Sequence, residues 1–517
     1  MANEEIVELI QQAFELKSKK MYKPAIEMLY KALSIENDNT EILFQLSELY
    51  FLMHNYTRAI GYIEQVLAQN PNHLETLKLA YSLYKNQEDF ENALLYAQKV
   101  FDIENSSNNL NNILNNLGKL GKIDELKTFI NYPNCSTENL IEIGKALYFN
   151  GESAEAKKIL EKFPQEITLG KIYFDENNLE KAREIFSQHS NTTDNDEILN
   201  YQGLFALEDM NFIEAIKCFS KASSINKNNS IYLYNLANAY FFNGWMDEAQ
   251  KAYSKAIYIA PDNMEYRYAL AYLYFEIKAF DKCKKEVDVI LSANPEHSQA
   301  RVLQALLFNT QKDYNKAKQI LEDNLKKYPD DNFTLVSLAK TYSYLDMYEK
   351  AEKLLLKLLE KNSENLNYIS DLSEIYIKEK SFNKAMELAH KTISLNPNYI
   401  YGYVLGAKVA YLTDDYEKTK EFSQNALLLD LNCSEAYYHL ALVRLKEQDF
   451  DEAVECMKRA ITYDVTNPKY YAEMSKIYQA KNDIKTAFEY IQEAENLDNS
   501  TEYKIMYKEL ASLSRKL

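Results

Sequence analysis

The segment LGKLGKID, residues 117–124, contains the glycines and the lysine of a phosphate-binding loop. A loop that cradles nucleotide phosphates needs four residues between its first glycine and the following Gly-Lys pair, so that backbone N–H groups can surround the phosphates. Here only two residues separate Gly118 from Gly121. The spacing therefore predicts a turn between two helices and not a nucleotide site.

The residues that could ligate a metal are dispersed. A zinc site needs cysteines and histidines in closely spaced pairs. The chain has five cysteines, at positions 135, 218, 283, 433 and 456, and six histidines, at positions 54, 73, 189, 297, 390 and 439. No two of these residues have the spacing of metal ligands. An odd number of scattered cysteines is also not a disulfide framework. We therefore expect no structural metal, no cofactor and no catalytic activity.

Composition narrows the class of protein further. The 517 residues include only 10 glycines and 9 prolines, which favours an all-helical chain with short turns. The net charge of −18 argues against binding to nucleic acid or to an anionic membrane. Glu4 and Glu5 stand where a signal peptide carries positive charge, and no apolar run approaches the roughly 18 residues of a membrane span. We expect a cytoplasmic protein that does not insert into membranes.

Small residues recur every 34 residues along most of the chain. The series runs through Ala25, Ala59 and Ala93 and, after an interruption, through Ala215, Ala249, Cys283, Ala317, Ala351, Ala385, Thr419, Ala453 and Ala487. We call these the anchor residues. A second small residue lies twelve positions earlier, as Ala237 does, and an aromatic residue such as Tyr240 often follows it by three. Five of the nine prolines lie twelve positions after an anchor, as Pro261 does.

This pattern predicts pairs of antiparallel helices of about 14 residues each, here called helix A and helix B. Small residues at a helix crossing allow the axes to approach to about 8–10 Å. The aromatic residues are expected to fill the wedge between one pair and the next. Proline ends helix B because it cannot continue a helix and disfavours helical geometry in the residue before it. Short turns are expected near 20–22, 54–56, 244–246 and 380–382.

The 34-residue period, the sequence LANAY (236–240), the DEA triplet (247–249) and the terminal APDN (260–263) resemble the tetratricopeptide repeat. The resemblance covers essentially the whole chain. It implies an all-α fold, a right-handed superhelical α-solenoid of antiparallel helix pairs with about 15 repeats and a C-terminal capping helix. It also implies a concave groove, lined by helices A, in which a protein or peptide ligand binds.

The regularity of the repeats predicts three blocks. Residues 1–104 hold three repeats. Residues 105–196 hold degenerate, shortened repeats with a possible kink, since anchors Ala156 and Ala182 are only 26 residues apart and the polar stretch at 189–196 is rich in turn residues. Residues 197–517 hold nine regular repeats and a capping helix at 500–517, which would cover the last apolar face.

Helical geometry selects the candidate groove residues. Positions one and five after the small residue of helix A, and three before it, share one face. In two successive repeats this face carries Tyr234, Asn238, Phe242, Tyr268 and Tyr272. In five repeats a lysine directly follows the small residue of helix A. Two of these lysines, Lys340 and Lys408, complete the candidate set. In another repeat the same position is occupied by Glu374. The alternative interpretation is that the aromatic rings pack between helices and that the lysines are only solvated.

Two functions fit these features. The first is a non-catalytic scaffold that binds a partner protein or peptide in the groove. The second is a chaperone or targeting receptor that holds an extended client for secretion or assembly, for which the aromatic groove is the support. Neither the lysine–asparagine clamp of repeat domains that capture carboxylates nor the asparagine ladder of glycosyltransferase-linked superhelices is present.

Overall fold

The computed structural model describes residues 2–133, 135–189, 195–498 and 500–514. Within these ranges the chain forms 31 α-helices and a 3-10 helix at Phe129–Asn131, and no strand. None of the described helices is both long and apolar enough to cross a bilayer. The chain divides into two compact units, unit 1 at Met1–Trp245 and unit 2 at Met246–Leu517. The three-block division based on repeat regularity stays a prediction.

The helices of unit 1 are α1 (Ala2–Ser18), α2 (Tyr22–Ile35), α3 (Thr40–Leu52), α4 (Tyr56–Gln69), α5 (Leu74–Asn86), α6 (Phe90–Ile103), α7 (Ser107–Lys119), α8 (Ile123–Thr128), α9 (Thr137–Phe149), α10 (Ser153–Leu160), α11 (Ile167–Asp175), α12 (Leu179–Gln188), α13 (Asp196–Glu208), α14 (Phe212–Ile225) and α15 (Ser230–Phe242).

The helices of unit 2 are α16 (Met246–Ile259), α17 (Met264–Glu276), α18 (Phe280–Ala293), α19 (Ser298–Thr310), α20 (Tyr314–Lys327), α21 (Asn332–Tyr344), α22 (Tyr348–Lys361), α23 (Leu366–Lys378), α24 (Phe382–Leu395), α25 (Ile400–Leu412), α26 (Tyr416–Leu429), α27 (Ser434–Lys446), α28 (Phe450–Tyr463), α29 (Pro468–Ala480), α30 (Ile484–Leu497) and α31 (Thr501–Ser514).

Odd-numbered helices up to α29 are helices A, and the even-numbered helices are helices B. The predicted turns are confirmed, since gaps of three residues separate α1 from α2, α3 from α4, α15 from α16 and α23 from α24. The predicted shortening of the middle repeats is seen in α8, α10, α11 and α12, which have 6, 8, 9 and 10 residues. The last helix, α31, buries Leu510 against Ala487 and Ile491 of α30. Residues 515–517 of the predicted capping helix lie outside the described residues.

Anchor residues pack where the two helices of a repeat cross. Ala249, Ala351 and Ala453 are fully buried, as are Cys283 and Thr419, which replace alanine in their repeats. On helix A, the small residue lies against a bulky side chain of helix B. A β-carbon added at Gly203 would come within 2.6 Å of the Phe219 ring, and one added at Gly144 would come within 2.6 Å of Leu160. Small residues at these positions are therefore a requirement of the close approach.

The aromatic residue three positions after the small residue lies between its own repeat and the preceding one. Its ring stacks on helix B of its own repeat, as for Tyr50 on Tyr62 and Tyr478 on Tyr490, with ring centres 5.8 and 5.5 Å apart. The hydroxyl group of Tyr50 lies 2.8 Å from that of Tyr30, which belongs to the preceding helix B. The tyrosine therefore connects its own repeat with the one before it.

Each turn between helix A and helix B contains one residue in the left-handed conformation, which lies five positions before the anchor in the repeats that have one. These residues are Lys20, His54, Glu88, Gly121, Gly151, Asn177, Met210, Gly244, Lys278, Lys312, Asp346, Lys380, Asp414, Gln448 and Asn482. After α15, the N–H of Gly244 donates to the carbonyl of Phe241 and the N–H of Trp245 donates to the carbonyl of Tyr240. This is the Schellman arrangement, which satisfies carbonyl groups at the helix end.

Two polar contacts connect distant turns of unit 2. The Lys278 ammonium donates to the Thr466 hydroxyl at 2.9 Å, although the two residues are 188 positions apart. The Lys312 ammonium lies 3.5 Å from an Oδ atom of Asp498. Turns near the start of unit 2 are thus joined to turns near its end.

Candidate functional site

Three of the predicted groove residues lie on α15, in unit 1. Tyr234 and Asn238 are half-buried and both have polar or ring contacts with other groups. Phe242 is 59% exposed, and its ring stacks on Phe212 with the ring centres 6.0 Å apart. Phe242 is therefore the member of this group with the most surface available to a ligand.

Two further predicted residues, Tyr268 and Tyr272, lie on α17 in unit 2. Both are half-buried, and their ring centres are 6.4 Å apart. Burial raises the pKa of the Tyr272 hydroxyl to about 12, with a further contribution from a hydrogen bond to Glu276. Burial likewise raises the pKa of Tyr268. The two neighbouring rings each remain partly exposed to solvent.

The predicted lysines of unit 2 lie on a surface that successive helices A share. Helices α21, α23, α25 and α27 contact one another in order, in addition to contacting their own helices B. We call the surface formed by the odd-numbered helices α21 to α29 the A face. Polar side chains on this surface form ion pairs between one helix A and the next helix A along the chain.

Lys340 and Lys408 both form ion pairs with the helix between them, α23. The Lys340 ammonium lies 3.1 Å from Oδ1 of Asp371. The Lys408 ammonium donates to both carboxylate oxygens of Glu374, at 2.8 and 2.6 Å, and the Tyr401 hydroxyl donates to Glu374 at 3.1 Å. Glu374, which interrupts the lysine series in the sequence, is therefore the partner of one of those lysines.

Two lysines of the A face were not singled out from the sequence. The ammonium of Lys378, at the end of α23, lies 4.5 Å from the centre of the Tyr344 ring. The ammonium of Lys469, at the start of α29, lies 4.7 Å from the centre of the Tyr438 ring. Lys378 is five residues after the small residue Ser373, so the spacing that selected Phe242 would also have found it. Lys469 has no such signal.

Neighbouring protein partly desolvates several charged groups of the A face. Lys378 and Lys469 are exposed to solvent, yet desolvation lowers the pKa of both ammonium groups, and the Lys408 charge lowers it further. Desolvation also raises the pKa of the Asp371 carboxyl group, despite its ion pair with Lys340. The two lysines are therefore accessible to solvent but incompletely hydrated.

His439 lies on α27 behind this surface and is only 6% exposed. Its Nδ1 atom has no hydrogen-bond partner among the described residues. Burial, with the nearby charges of Lys469 and Lys408, lowers the pKa of His439 to about 3. The imidazole is therefore neutral at physiological pH and adds no charge to the A face.

The arrangement is suited to binding. Its charged groups are distributed along several helices and are engaged with rings or with carboxylates of neighbouring repeats. The described residues contain no group of three or more His, Cys, Asp or Glu side chains that could hold a metal ion. In unit 1 the corresponding lysines also have carboxylate partners, with Lys145 beside Glu142 and Glu166 and Lys171 paired with Glu197.

Models of known families match five stretches of the chain. Two tetratricopeptide repeat models match residues 17–84 and residues 231–263, 434–465 and 468–501. The model described as the N-terminal TPR repeats region of psidin matches residues 265–431. Among curated proteins, none is significantly similar to this sequence.

Solved structures include several similar folds. The Cut9–Hcn1 hetero-tetramer of the APC/C contains a chain with 14% identity and a TM-score of 0.51, over 85% of this chain and 96% of that chain. A tetratricopeptide repeat protein from Parabacteroides merdae has 20% identity and a TM-score of 0.41, over 48% and 98% of the two chains. Yeast Tom70 has 15% identity and a TM-score of 0.39, over 98% and 100%.

The repeat period, the helix pairs with buried anchors and the matching family models agree with one another. The similarity to the Cut9–Hcn1 chain supports the same fold. The chain belongs to the tetratricopeptide repeat proteins, with an α-solenoid fold.

Proposed function

We propose that this protein is a non-catalytic scaffold that binds an extended segment of a partner protein through its helices A. The contact residues are Tyr234, Asn238 and Phe242 in unit 1 and Tyr268, Tyr272, Lys340 and Lys408 in unit 2. The observation that carries the proposal is the A face itself. Polar and aromatic side chains follow one another across repeats there, and they remain accessible where a helix–helix core would be apolar.

The chemistry of these side chains supports binding to a protein segment. Aromatic residues dominate the energetics of protein interfaces when a partner desolvates them. Tyr268 and Tyr272 present two adjacent rings, each with a hydroxyl group that can exchange hydrogen bonds with a peptide backbone. The Cut9–Hcn1 structure, by its description, is an assembly of such a repeat protein with another protein.

A double substitution tests the proposal. Tyr268→Ala combined with Tyr272→Ala should weaken capture of the partner from native lysate at least tenfold, about 1.4 kcal/mol. The matched control is Tyr258→Ala, since Tyr258 is 88% exposed on a helix B and should not affect capture. A double variant that loses stability but still captures the partner would show that the rings only pack the fold, and the proposal would be wrong.

The same capture experiment separates the scaffold from a chaperone or targeting receptor. A scaffold retains one folded partner in stoichiometric amounts. A receptor for extended clients retains many proteins in small amounts, and unfolded competitors displace them. We expect the first result, because the ion pairs of the A face fix the positions of its charged groups.

A further inference from the structure

Not every lysine on the A face of unit 2 forms an ion pair. Lys340, Lys408 and Lys476 each lie within ion-pair distance of a carboxylate on the same face, namely Asp371, Glu374 and Glu473. For two further lysines, Lys378 and Lys469, the described part of the chain offers no carboxylate within that distance. Glu374 stabilises both positive charges, but only from beyond that distance.

These two lysines are held in position by aromatic rings. The ammonium group of Lys378 lies over Tyr344 and that of Lys469 lies over Tyr438, at 4.5 and 4.7 Å from the ring centres. A ring face attracts a cation but accepts no full hydrogen bond, so the N–H donors that point away from the ring remain available. An anion that approaches from the solvent side finds both ammonium groups already oriented.

Both groups are also poorly hydrated for exposed lysines. Desolvation lowers the pKa of Lys378 and of Lys469, which means that the surrounding protein disfavours their positive charge. The Lys408 charge lowers the pKa of each further, whereas the Glu374 carboxylate raises it and offsets part of the effect. A negative charge placed close to these ammonium groups would favour their charged forms.

We propose that the A face around Lys378, Lys408 and Lys469 binds the carboxylate side chains of an acidic segment of the partner protein. The three lysines belong to α23, α25 and α29, so a ligand that contacts all of them must extend across several repeats. A row of Asp or Glu side chains satisfies this requirement, whereas a single small anion contacts only part of it. The inference rests on the proposed scaffold function and names the chemistry of its partner.

Fluorescence anisotropy with the full chain tests this. The probe is a fluorescein-labelled peptide of ten glutamates, with a peptide of ten glutamines as the uncharged comparison. We expect the glutamate peptide to bind at least tenfold more tightly than the glutamine peptide. K378Q combined with K469Q should weaken binding of the glutamate peptide at least tenfold, and K378R combined with K469R should keep it within threefold.

The control removes the same charge elsewhere in unit 2. Lys285 and Lys391 are exposed on helices B, and K285Q combined with K391Q should change the affinity less than twofold. Equal binding by the wild type and the K378Q/K469Q variant would overturn the acidic-ligand site, as would equal binding of the two peptides. If the natural partner is still captured through Tyr268 and Tyr272 in that case, the scaffold function stands. If the wild type captures no partner, the scaffold function itself falls.

Discussion

Gly203 of α13 lies directly against the ring of Phe219 in α14, so that a β-carbon on the glycine would come within 2.6 Å of Cε1. Phe219 is fully buried and packs with the anchor Ala215. The ring cannot move away, because the same cluster includes Leu236 and Ala239 from the following helix. The distance between the two helices is therefore set by the absence of a side chain at Gly203.

Gly203→Ala should destabilise unit 1 by about 1–3 kcal/mol, since it adds a methyl group to a filled core. Urea unfolding followed by circular dichroism measures the change. Gly61→Ala is the matched control, because Gly61 is in the middle of α4 with nothing near its Cα that a methyl group would meet. That substitution should stabilise the helix by up to about 1 kcal/mol. Equal effects of the two substitutions would contradict the packing explanation.

Gly244→Ala should cost about 1–2 kcal/mol for a different reason. Gly244 has φ of +81°, and no atom lies within 4 Å of the position that a β-carbon would take. The expected loss therefore comes from backbone strain in the left-handed conformation and not from collision. Gly244→Asn should lose less, because asparagine tolerates this conformation better. If thermal unfolding shows no difference between alanine and glycine, the strain is absent.

His439 should make unit 2 sensitive to mild acid. Its pKa of about 3 in the folded chain lies below the value of about 6.5 for an unfolded histidine, so between these pH values only the unfolded chain binds the proton. The stability contributed by the neutral imidazole is complete above about pH 6.5 and is lost as the pH falls. From pH 7 to pH 5, the loss from this residue should be about 2 kcal/mol.

His439→Phe isolates that contribution, since it keeps a ring of similar size and removes the titrating group. The variant should lose less stability than the wild type between pH 7 and pH 5, as measured by urea unfolding at both pH values. His390→Phe, at an exposed position of α24, should leave the wild-type pH dependence in place. Identical pH dependence in the wild type and His439→Phe would show that the imidazole has the same pKa in the folded and the unfolded chain.

Thiol reactivity should single out Cys135. It is the partly accessible cysteine, whereas Cys218, Cys283, Cys433 and Cys456 are buried. Burial raises the pKa of Cys218 and Cys456 to about 11 and that of Cys283 to about 12, so these groups are almost entirely protonated at pH 8. An aromatic disulfide reagent should modify one thiol rapidly in the native chain and the other four only on unfolding. Cys135→Ser should abolish the rapid phase.

The fold could be predicted well from the sequence because the same packing positions recur in each repeat, so that many repeats support one assignment. Anchor residues such as Ala351, and their replacement Cys283, are buried where the 34-residue period placed them. The left-handed conformation in the turns was harder to predict from the sequence. A left-handed residue occurs in every turn between helix A and helix B, but only Gly121, Gly151 and Gly244 are glycines. Elsewhere the same hydrogen bonds at the helix end accompany this conformation in other residue types, such as Lys312.

The candidate site was harder to predict because its contacts join different repeats. The partner of Lys408 is Glu374, 34 residues earlier, and the partner of Lys340 is Asp371, 31 residues later. Spacing within one repeat shows that such residues share a face, but it does not show which of them meet. Lys469 and His439 were missed because their properties depend on burial and on the charges of neighbouring helices.

The contacts of Lys278 with Thr466 and of Lys312 with Asp498 have a mechanical consequence for unit 2. The repeats between them are connected mainly through their immediate neighbours. Exposed polar contacts of this kind contribute about 1 kcal/mol or less, whereas separating two packed helices exposes a whole apolar interface. Under tension, these contacts should therefore break first. Once they have broken, we expect unit 2 to extend under tension and to shorten again when the tension is released, with its helices still folded.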